Sequence, residues 1–315
     1  MHPENRSVLI TGGAGYLGSI MVGEFLARGF RVTVLDNFMF KQNSLAHYCA
    51  HPGFDVINGD ARDEKLLGEL VANKDILIPL AALVGAPLCD KDPFGASSTN
   101  LDAQTMLLDL LSPGQWVLMP ITNSGYGIGE ADAFCTEESP LRPVSLYGRQ
   151  KVLVEERVLA RDNSISFRLA TVFGMAPRMR IDLLVNDFVY RAVYDRTVVV
   201  FEGNFRRNYI HVRDVTRAFL HGIDNFDVMK GEAFNVGLSD ANLTKLELCE
   251  KIHSHFPEFV YLDSPIGQDP DKRDYLVSNA KIEATGFKPA YSLDNGIKEL
   301  KTGYRMIRNS MYGNL

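Results

Sequence analysis

The sequence predicts an α/β protein whose first lobe is a doubly wound parallel sheet and whose smaller C-terminal lobe is also α/β. Short strands of continuous apolar character alternate with helical patterns, which is typical of a parallel sheet covered by helices on both faces. With 315 residues, the chain is also too long for one minimal core. Beyond residue 170 the alternation loosens, which indicates the second lobe.

The strands of the first lobe are read from apolar runs that end at glycine, proline or polar residues. We predict these strands at 7–11, 31–36, 54–59, 75–81, 115–122 and 164–170. We predict the helices of this lobe at about 16–28, 63–73, 97–111 and 145–161. Strands and helices therefore alternate along the whole of this part of the chain.

The remaining elements are shorter and more widely spaced. We predict helices near 181–196, 213–225, 244–256 and 292–308, and strands at 197–201, 208–212 and 232–237. We assign 1–170 and about 205–237 to the first lobe, and 171–204 and 238–315 to the second. No flexible linker is evident, so we expect the two lobes to pack closely.

Composition excludes several classes of function. The net charge of −6 argues against nucleic acid or an anionic membrane as the main partner. No apolar stretch approaches the ~18 residues of a membrane span, and no signal peptide is visible, so we expect a cytoplasmic protein. The cysteines form no C-x-x-C pair and no ligand pattern with histidine, so we expect no metal. They are Cys49, Cys89, Cys135 and Cys249.

A glycine-rich stretch, "TGGAGYLG" at 11–18, lies between the first strand and the first helix. Gly12, Gly15 and Gly18 let the backbone approach a pyrophosphate, which the helix amides and dipole then hold. Asp36 ends the second strand, where its carboxylate accepts the ribose hydroxyls of adenosine and repels a 2′-phosphate. Asn37, not arginine, follows it. The sequence therefore predicts a Rossmann-type lobe that binds NAD rather than NADP.

A tyrosine and a lysine lie four residues apart in "SLYGRQK", on one face of a predicted helix. An ordinary tyrosine has a pKa of ~10 and is a poor base at neutral pH. A cation one turn away favours the phenolate and lowers that pKa. Tyr147 and Lys151 therefore indicate proton removal from a substrate hydroxyl that is being oxidised.

With these features the chain resembles the extended short-chain dehydrogenases/reductases of the NAD-dependent nucleotide-sugar epimerase/dehydratase family. The resemblance runs essentially end to end, through "TGGAGYLG", "LAALVGAP", "EESPLRPVSLYGRQK", "FRLATVFG", "RRNYIHVRDV" and "DKRDYLVSNAKIEATGFKP". It implies that Thr122 assists Tyr147 and that Ser124 is a weaker substitute. Asp60, which follows the third strand in "GDARD", is well placed to meet the adenine. The further cofactor contacts that the resemblance implies are Tyr16, Leu17, Ala61, Leu80, Ala82 and Asn100. The substrate contacts that it implies are Val84, Ser124 and Asn186, with Arg207 and Arg273 on the diphosphate.

The turn "TNS" at 122–124 separates the reactions of this family. Its dehydratases carry Thr-Asp-Glu here, and their carboxyl groups move the protons of elimination. An amide at Asn123 and an ordinary hydroxyl at Ser124 do not exchange protons near neutral pH. Dehydration is therefore disfavoured, and epimerisation at carbon 3 or 5 would need another acid–base pair, for which Cys89 and Cys135 are weak candidates. Carbon-4 epimerisation needs only Thr122, Tyr147 and Lys151 and stays open.

A narrower resemblance favours oxidation without epimerisation. The combination "LAALVGAPLC", "NSGYGIGE", "PRMRIDLLVNDF" and "DPDKRDYLVSN" is similar to the GDP-D-glycero-α-D-manno-heptose 4-dehydrogenases. That resemblance implies a GDP-linked sugar as substrate, its 4-keto sugar as product and a 2-keto acid such as 2-oxoglutarate as hydride acceptor. The alternatives are a 4-epimerase and a non-catalytic dinucleotide-sensing protein. The family also implies a homodimer formed through helices of the first lobe.

Overall fold

The computed structural model describes residues 6–41, 43–130, 133–266 and 273–307. Its strands are β1 (Ser7–Thr11), β2 (Arg31–Asp36), β3 (Phe54–Asn58), β4 (Ile76–Pro79), β5 (Trp116–Thr122), β6 (Phe134–Cys135), β7 (Ser164–Leu169), β8 (Thr171–Phe173), β9 (Thr197–Phe201), β10 (Arg206–His211), β11 (Glu232–Val236), β12 (Asn242–Thr244), β13 (Val260–Ser264) and β14 (Leu276–Val277). Its helices are α1 (Tyr16–Ala27), α2 (Glu64–Val71), α3 (Ala86–Lys91), α4 (Pro93–Ser97), α5 (Ala103–Leu110), α6 (Leu146–Leu159), α7 (Leu184–Tyr194), α8 (Val212–Asp224), α9 (Phe226–Met229), α10 (Lys245–His255), α11 (Ala280–Ala284) and α12 (Leu293–Gly303).

The central sheet has seven parallel strands in the order β11-β7-β5-β4-β1-β2-β3. The chain moves outward from β1 in one direction to β2 and β3, then crosses back to β4 on the other side. In such sheets the ligand crevice lies beyond the carboxyl ends of the strands where the order reverses. The ends of β1 and β4 therefore mark where a ligand is expected.

Alternation along β1 shows why the sheet is covered on both faces. Val8 and Ile10 belong to one hydrophobic cluster and Leu9 to another, and all three are 0% exposed. Successive side chains of a strand point to opposite faces, so an apolar run fills two cores at once. The predicted doubly wound α/β class is confirmed.

Smaller sheets, β12-β10-β8, β13-β9 and β14-β6, lie beside the central sheet, and α7, α10 and α12 pack against the first two of them; β6 and β10 come from ranges assigned to the first lobe and pair with strands of the second. Several of these two- to five-residue strands were not predicted, because runs this short carry little periodic signal. The strand β11 follows elements of the second lobe in sequence but pairs with β7 at the edge of the central sheet. The predicted helices 181–196 and 292–308 are shorter in the structure, and residue 308 lies outside the described residues.

The predicted helix 97–111 begins earlier than expected. Helical structure starts at Pro93, with Asp92 as its cap, and passes through a π-helical turn at Ser98–Asp102 into α5. Asp followed by Pro at the first helical position is the local signal for this start. Within the described ranges, no helix is long and apolar enough to cross a membrane.

Candidate active site

A cleft of ≈ 390 Å³ lies at the carboxyl ends of the central strands, where the strand order reverses. Its walls come from the ends of β1, β2, β4 and β5, from α6, and from the segment that follows β7. The predicted residues on its walls are Gly12, Gly15, Tyr16, Leu17, Gly18, Asp36, Asn37, Asp60, Ala61, Leu80, Ala82, Val84, Thr122, Ser124, Tyr147, Lys151 and Arg273.

The glycine loop shows whether a dinucleotide fits this cleft. Gly12 has φ of +70°, and a Cβ there would lie 2.6 Å from the amide nitrogen of Ala81. A Cβ at Gly18 would lie 2.4 Å from the Gly13 carbonyl oxygen, so side chains are excluded where α1 meets the loop. Gly15 is the N-cap of α1 and gives its first amides no side-chain partner. The helix end is thus shaped for a pyrophosphate.

Asp36 ends β2 with its carboxylate directed at the backbone of the cleft. Its Oδ2 accepts a hydrogen bond from the Ala14 amide at 2.9 Å, and its Oδ1 accepts one from the Phe38 amide at 2.8 Å. Burial raises the pKa of this carboxyl, while those two amides and the cation of Arg178 oppose the rise. The carboxylate is therefore fixed at the position where a ribose would be bound.

Two other predicted cofactor residues differ in their surroundings. Asp60 lines the cleft but is paired with Arg62, with 2.6 Å between Oδ2 and Nη2, and this partner lowers the pKa of Asp60. Asn100 is 0% exposed, and its amide bonds both backbone groups of Leu83 and the Gln150 side chain. The structure therefore does not bring Asn100 to the cleft wall. Its side chain instead bonds the backbone of Leu83, which lines the cleft.

The turn after β5 carries two linked hydroxyls. Thr122 Oγ1 donates to Ser124 Oγ at 2.8 Å and accepts from the Ser124 amide at 3.1 Å. Arg273 Nη1 also donates to Ser124 Oγ. The structure therefore places Arg273 beside the hydroxyl turn. Asn123 between them is 1% exposed, and neither polar atom of its side chain has a hydrogen-bond partner in the described part of the chain.

Tyr147 and Lys151 project from the first two turns of α6 into the same end of the cleft. Burial raises the pKa of Tyr147 to about 12, with the cations of Arg180 and Arg273 opposing it. Burial lowers the pKa of Lys151 to about 8, and its ammonium donates to the Pro120 carbonyl at 3.1 Å. The cations of Arg180 and Arg273 are contributions to the Tyr147 pKa that the sequence pattern did not predict.

Two cleft arginines were missed by the sequence analysis, although "PRMRID" was noted for its resemblance. Arg178 is 2% exposed and lies with its guanidinium carbon 4.0 Å from the centre of the Phe40 ring. Arg180 is 7% exposed and pairs with Asp182 across 2.5 Å. The signal in the sequence was two arginines separated by a single residue, Met179. Only the tertiary structure shows that both line the cleft.

Two residues that the resemblance implied as substrate contacts are buried away from the cleft wall. Asn186 is 0% exposed and bonds the Gly174 amide, the Arg180 carbonyl and the Tyr16 hydroxyl. Arg207 is 2% exposed, and its guanidinium donates to the carbonyl of Arg273. The structure brings neither to the cleft surface; each supports a residue that does line it.

The cysteines in this region are packed thiols. Cys89 is 0% exposed and its Sγ lies 3.2 Å from the Leu83 carbonyl. Burial raises the pKa of Cys89 to about 11 and also raises the pKa of Cys135. Neither thiol is thus activated as an acid–base group. In the described residues, no group of three or more histidine, cysteine or acidic side chains is arranged to hold a metal.

This fold and cleft define a dinucleotide-dependent enzyme of the Rossmann class, and comparisons with known proteins agree. The profile of the NAD-dependent epimerase/dehydratase family matches residues 8–237, so the chain belongs to this family of NAD-dependent enzymes.

Individual relatives carry different activities. The low-salt glycan biosynthesis protein Agl12 of Haloferax volcanii is 30% identical over 308 residues, which covers 92% of this chain and 96% of the relative. UDP-glucuronic acid decarboxylase 1 of Arabidopsis thaliana is 26% identical over 95% of this chain and 69% of its own length. The structure of UDP-glucuronic acid 4-epimerase from Bacillus cereus, with UDP-glucuronic acid and NAD, superposes with a TM-score of 0.83 at 20% identity, covering 95% of this chain and 99% of that chain.

Proposed function

We propose that this enzyme is an NAD-dependent nucleotide-sugar 4-dehydrogenase that oxidises carbon 4 of GDP-D-glycero-α-D-manno-heptose to the ketone. The observation that carries the proposal is the set of groups that line the cleft. Tyr147, Lys151, Thr122 and Ser124 all line it, and the turn at 122–124 offers no carboxylate for elimination. Chemistry that begins with oxidation and stops at the ketone fits this set of groups.

Each residue has a separate task in the proposed reaction. Bound NAD supplies the carbon that accepts the hydride from carbon 4. Tyr147 takes the proton of the carbon-4 hydroxyl, so that the C–H and O–H bonds break and the C=O bond forms. The ammonium of Lys151, held on the Pro120 carbonyl, favours the phenolate and binds the nicotinamide ribose. Thr122 belongs to the hydroxyl pair that orients the sugar.

Charge in the cleft supports an anionic substrate. Arg180 and Arg273 line it beside Tyr147, while Arg207 supports Arg273 from behind through the Arg273 carbonyl. Guanidinium groups match paired phosphate oxygens well. The diphosphate of a sugar nucleotide is the group we assign to Arg273, with Arg207 as its support. Val84 and Ser124 complete the proposed sugar contacts, and 2-oxoglutarate is the proposed acceptor that regenerates NAD.

A second candidate is a 4-epimerase. After the keto sugar has rotated in the cleft, the same groups suffice for returning the hydride to the opposite face of the ketone. The fold-level likeness to UDP-glucuronic acid 4-epimerase keeps this candidate open. A dinucleotide-sensing protein without activity is the third candidate. It needs the glycine loop but has no use for the Tyr147–Lys151 pair. We also propose a cytoplasmic homodimer.

The test is to incubate the purified protein with GDP-, UDP- and dTDP-linked sugars, including the GDP-heptose, with and without 2-oxoglutarate. We expect a product that has lost two hydrogen atoms, formed in quantity only when 2-oxoglutarate is present. A product of unchanged mass with inverted carbon 4 would establish the epimerase instead. Loss of water would contradict both, and no conversion of any sugar would favour the sensing protein.

A further inference from the structure

The hydrogen bonds of the turn after β5 assign donor and acceptor roles to the two hydroxyl groups in it, those of Thr122 and Ser124. The Thr122 hydroxyl donates its proton to Ser124 Oγ at 2.8 Å, while its oxygen accepts the Ser124 amide at 3.1 Å. The Ser124 oxygen therefore accepts from Thr122, and it accepts a second bond from Arg273 Nη1. A hydroxyl oxygen has two lone pairs, so both are used.

One proton of this chain is left for a ligand. The Ser124 hydroxyl donates to no group in the described ranges of the chain, and Ser124 lines the cleft. The Thr122 proton, in contrast, is committed to Ser124. Two donors on one oxygen also polarise its own O–H bond, since hydrogen bonds in a chain strengthen one another. Ser124 is thus a fixed donor, and it cannot act as a base while both lone pairs are held.

We propose that Ser124 is the hydroxyl that touches the reacting oxygen of the sugar, and that Thr122 and Arg273 act through it as positioning residues. This inference rests on the proposed oxidation at carbon 4. It replaces Thr122, the helper implied by resemblance, with its neighbour two residues on. It also gives Arg273 a task at the reacting carbon in addition to its proposed contact with the diphosphate.

The proposed arrangement balances the protons of the reaction. The carbon-4 oxygen donates its proton to Tyr147 and accepts a hydrogen bond from Ser124 as negative charge develops on it. Ser124 keeps its proton throughout and forms no covalent bond. Thr122 and Arg273 keep the Ser124 oxygen from turning its lone pairs to the sugar. A donor placed where charge develops typically contributes about 10²–10³ in kcat.

The experiment uses the full-length protein, NAD and whichever sugar nucleotide the unmodified protein oxidises, starting with the GDP-heptose. Ser124→Ala is expected to lower kcat about 100-fold. Ser124→Cys, which keeps the size but is a weak donor, is expected to behave in the same way. Affinity for NADH by fluorescence titration and the melting temperature should stay near those of the unmodified protein. Ser112→Ala, at the opposite end of β5, is the matched control and should leave kcat unchanged.

A double-mutant cycle separates direct from indirect roles. Thr122→Val and Arg273→Gln are each expected to lower kcat in the unmodified background and to leave it unchanged in the Ser124→Ala background. Thr122→Ser keeps the hydroxyl that Thr122→Val removes, so its kcat should be near that of the unmodified protein. Arg273→Gln should still raise KM in both backgrounds if the guanidinium also binds the diphosphate.

Two results would overturn the inference. One is a kcat for Ser124→Ala within about threefold of the unmodified protein. The other is a further loss of 100-fold when Thr122→Val is added to Ser124→Ala, which would make Thr122 the direct contact. Failure of the proposed function looks different, because the unmodified protein would then oxidise no sugar nucleotide at all.

Discussion

The side-chain amide of Asn186 donates a hydrogen bond to the Tyr16 hydroxyl at 3.2 Å, and that hydroxyl donates to the Gly174 carbonyl at 2.6 Å. Tyr16 begins α1 in the first lobe, whereas Gly174 and Asn186 belong to the segment that forms the second. Both tyrosine and asparagine were expected from resemblance to contact ligands. In the structure Tyr16 lines the cleft, and these bonds join the start of α1 to the segment between β8 and α7.

Tyr16→Phe should therefore destabilise the protein by about 1–3 kcal/mol, because the buried Gly174 carbonyl and Asn186 amide both lose a partner. The free energy of unfolding in urea measures this change. Tyr261→Phe is a suitable control, since the Tyr261 hydroxyl bonds to no other described residue, and it should change stability by less than about 0.5 kcal/mol. Equal stability of the two variants would contradict a structural role for the hydrogen bonds of the Tyr16 hydroxyl.

A buried ion pair connects α6 to β7. Arg168 contacts Glu155 through two nitrogens at 2.8–3.1 Å and also donates to the Tyr126 hydroxyl at 3.0 Å. Arg168→Met should cost about 3–5 kcal/mol, because Glu155 would remain buried without its partner. Adding Glu155→Leu should recover part of the loss. Arg28→Met removes an exposed pair and should cost less than about 1 kcal/mol in the same urea titration.

Asp36→Asn should weaken NAD binding by about 10- to 100-fold, since the amide cannot accept both ribose hydroxyls as a carboxylate does. Calorimetric titration with NAD and NADP measures the change. The ratio of the NADP Kd to the NAD Kd should also decrease, because the negative charge that repels a 2′-phosphate is gone. Asp55→Asn, on the exposed side of β3, should bind NAD normally. Unchanged NAD affinity in the Asp36 variant would contradict the assignment of this carboxylate.

Arg180→Gln should move the rising limb of the pH–rate profile to higher pH, by up to about one unit. The cation of Arg180 opposes the rise in the Tyr147 pKa that burial causes. Removing the cation raises this pKa further, so a higher pH is needed to form the phenolate. Measuring kcat/KM against pH tests the sign. Arg62 also lines the cleft but is not among the cations that act on the Tyr147 pKa, so Arg62→Gln should leave the limb in place. A shift to lower pH in Arg180→Gln would refute the argument.

Tyr147→Phe should reduce sugar oxidation by at least about 1,000-fold, because no other group takes the hydroxyl proton. Binding of NADH should change by less than about threefold, since the ring remains in place. Single-turnover absorbance at the NADH band and fluorescence titration give the two values. An active phenylalanine variant would remove Tyr147 from the mechanism.

Local patterns predicted much of the first lobe because their causes are local. Apolar strands, the glycine loop and the Tyr147–Lys151 spacing depend on neighbours within a few residues, and the structure contains each element. The family and its use of NAD are confirmed by the comparisons. The assigned roles of the individual site residues stay predictions.

Sequence patterns did not predict which polar side chains point into the cleft. Asn100, Asn186 and Arg207 are polar residues of kinds that contact ligands, yet each is at most 2% exposed and bonds other parts of the chain. Nothing in their neighbouring residues states which way they point. Arg178 and Arg180 show the reverse case, since their neighbouring residues gave no indication that both line the cleft.

The late position of β11 has a consequence for synthesis of the chain. This strand covers the outer edge of β7, so the edge stays open until Glu232–Val236 has left the ribosome. An unpaired strand edge is a template for pairing with other chains. A fragment ending near residue 170 should therefore aggregate. The nascent protein completes the seven-stranded sheet only after residues 171–231 have been made, so the folding of the sheet depends on the segment that follows β7.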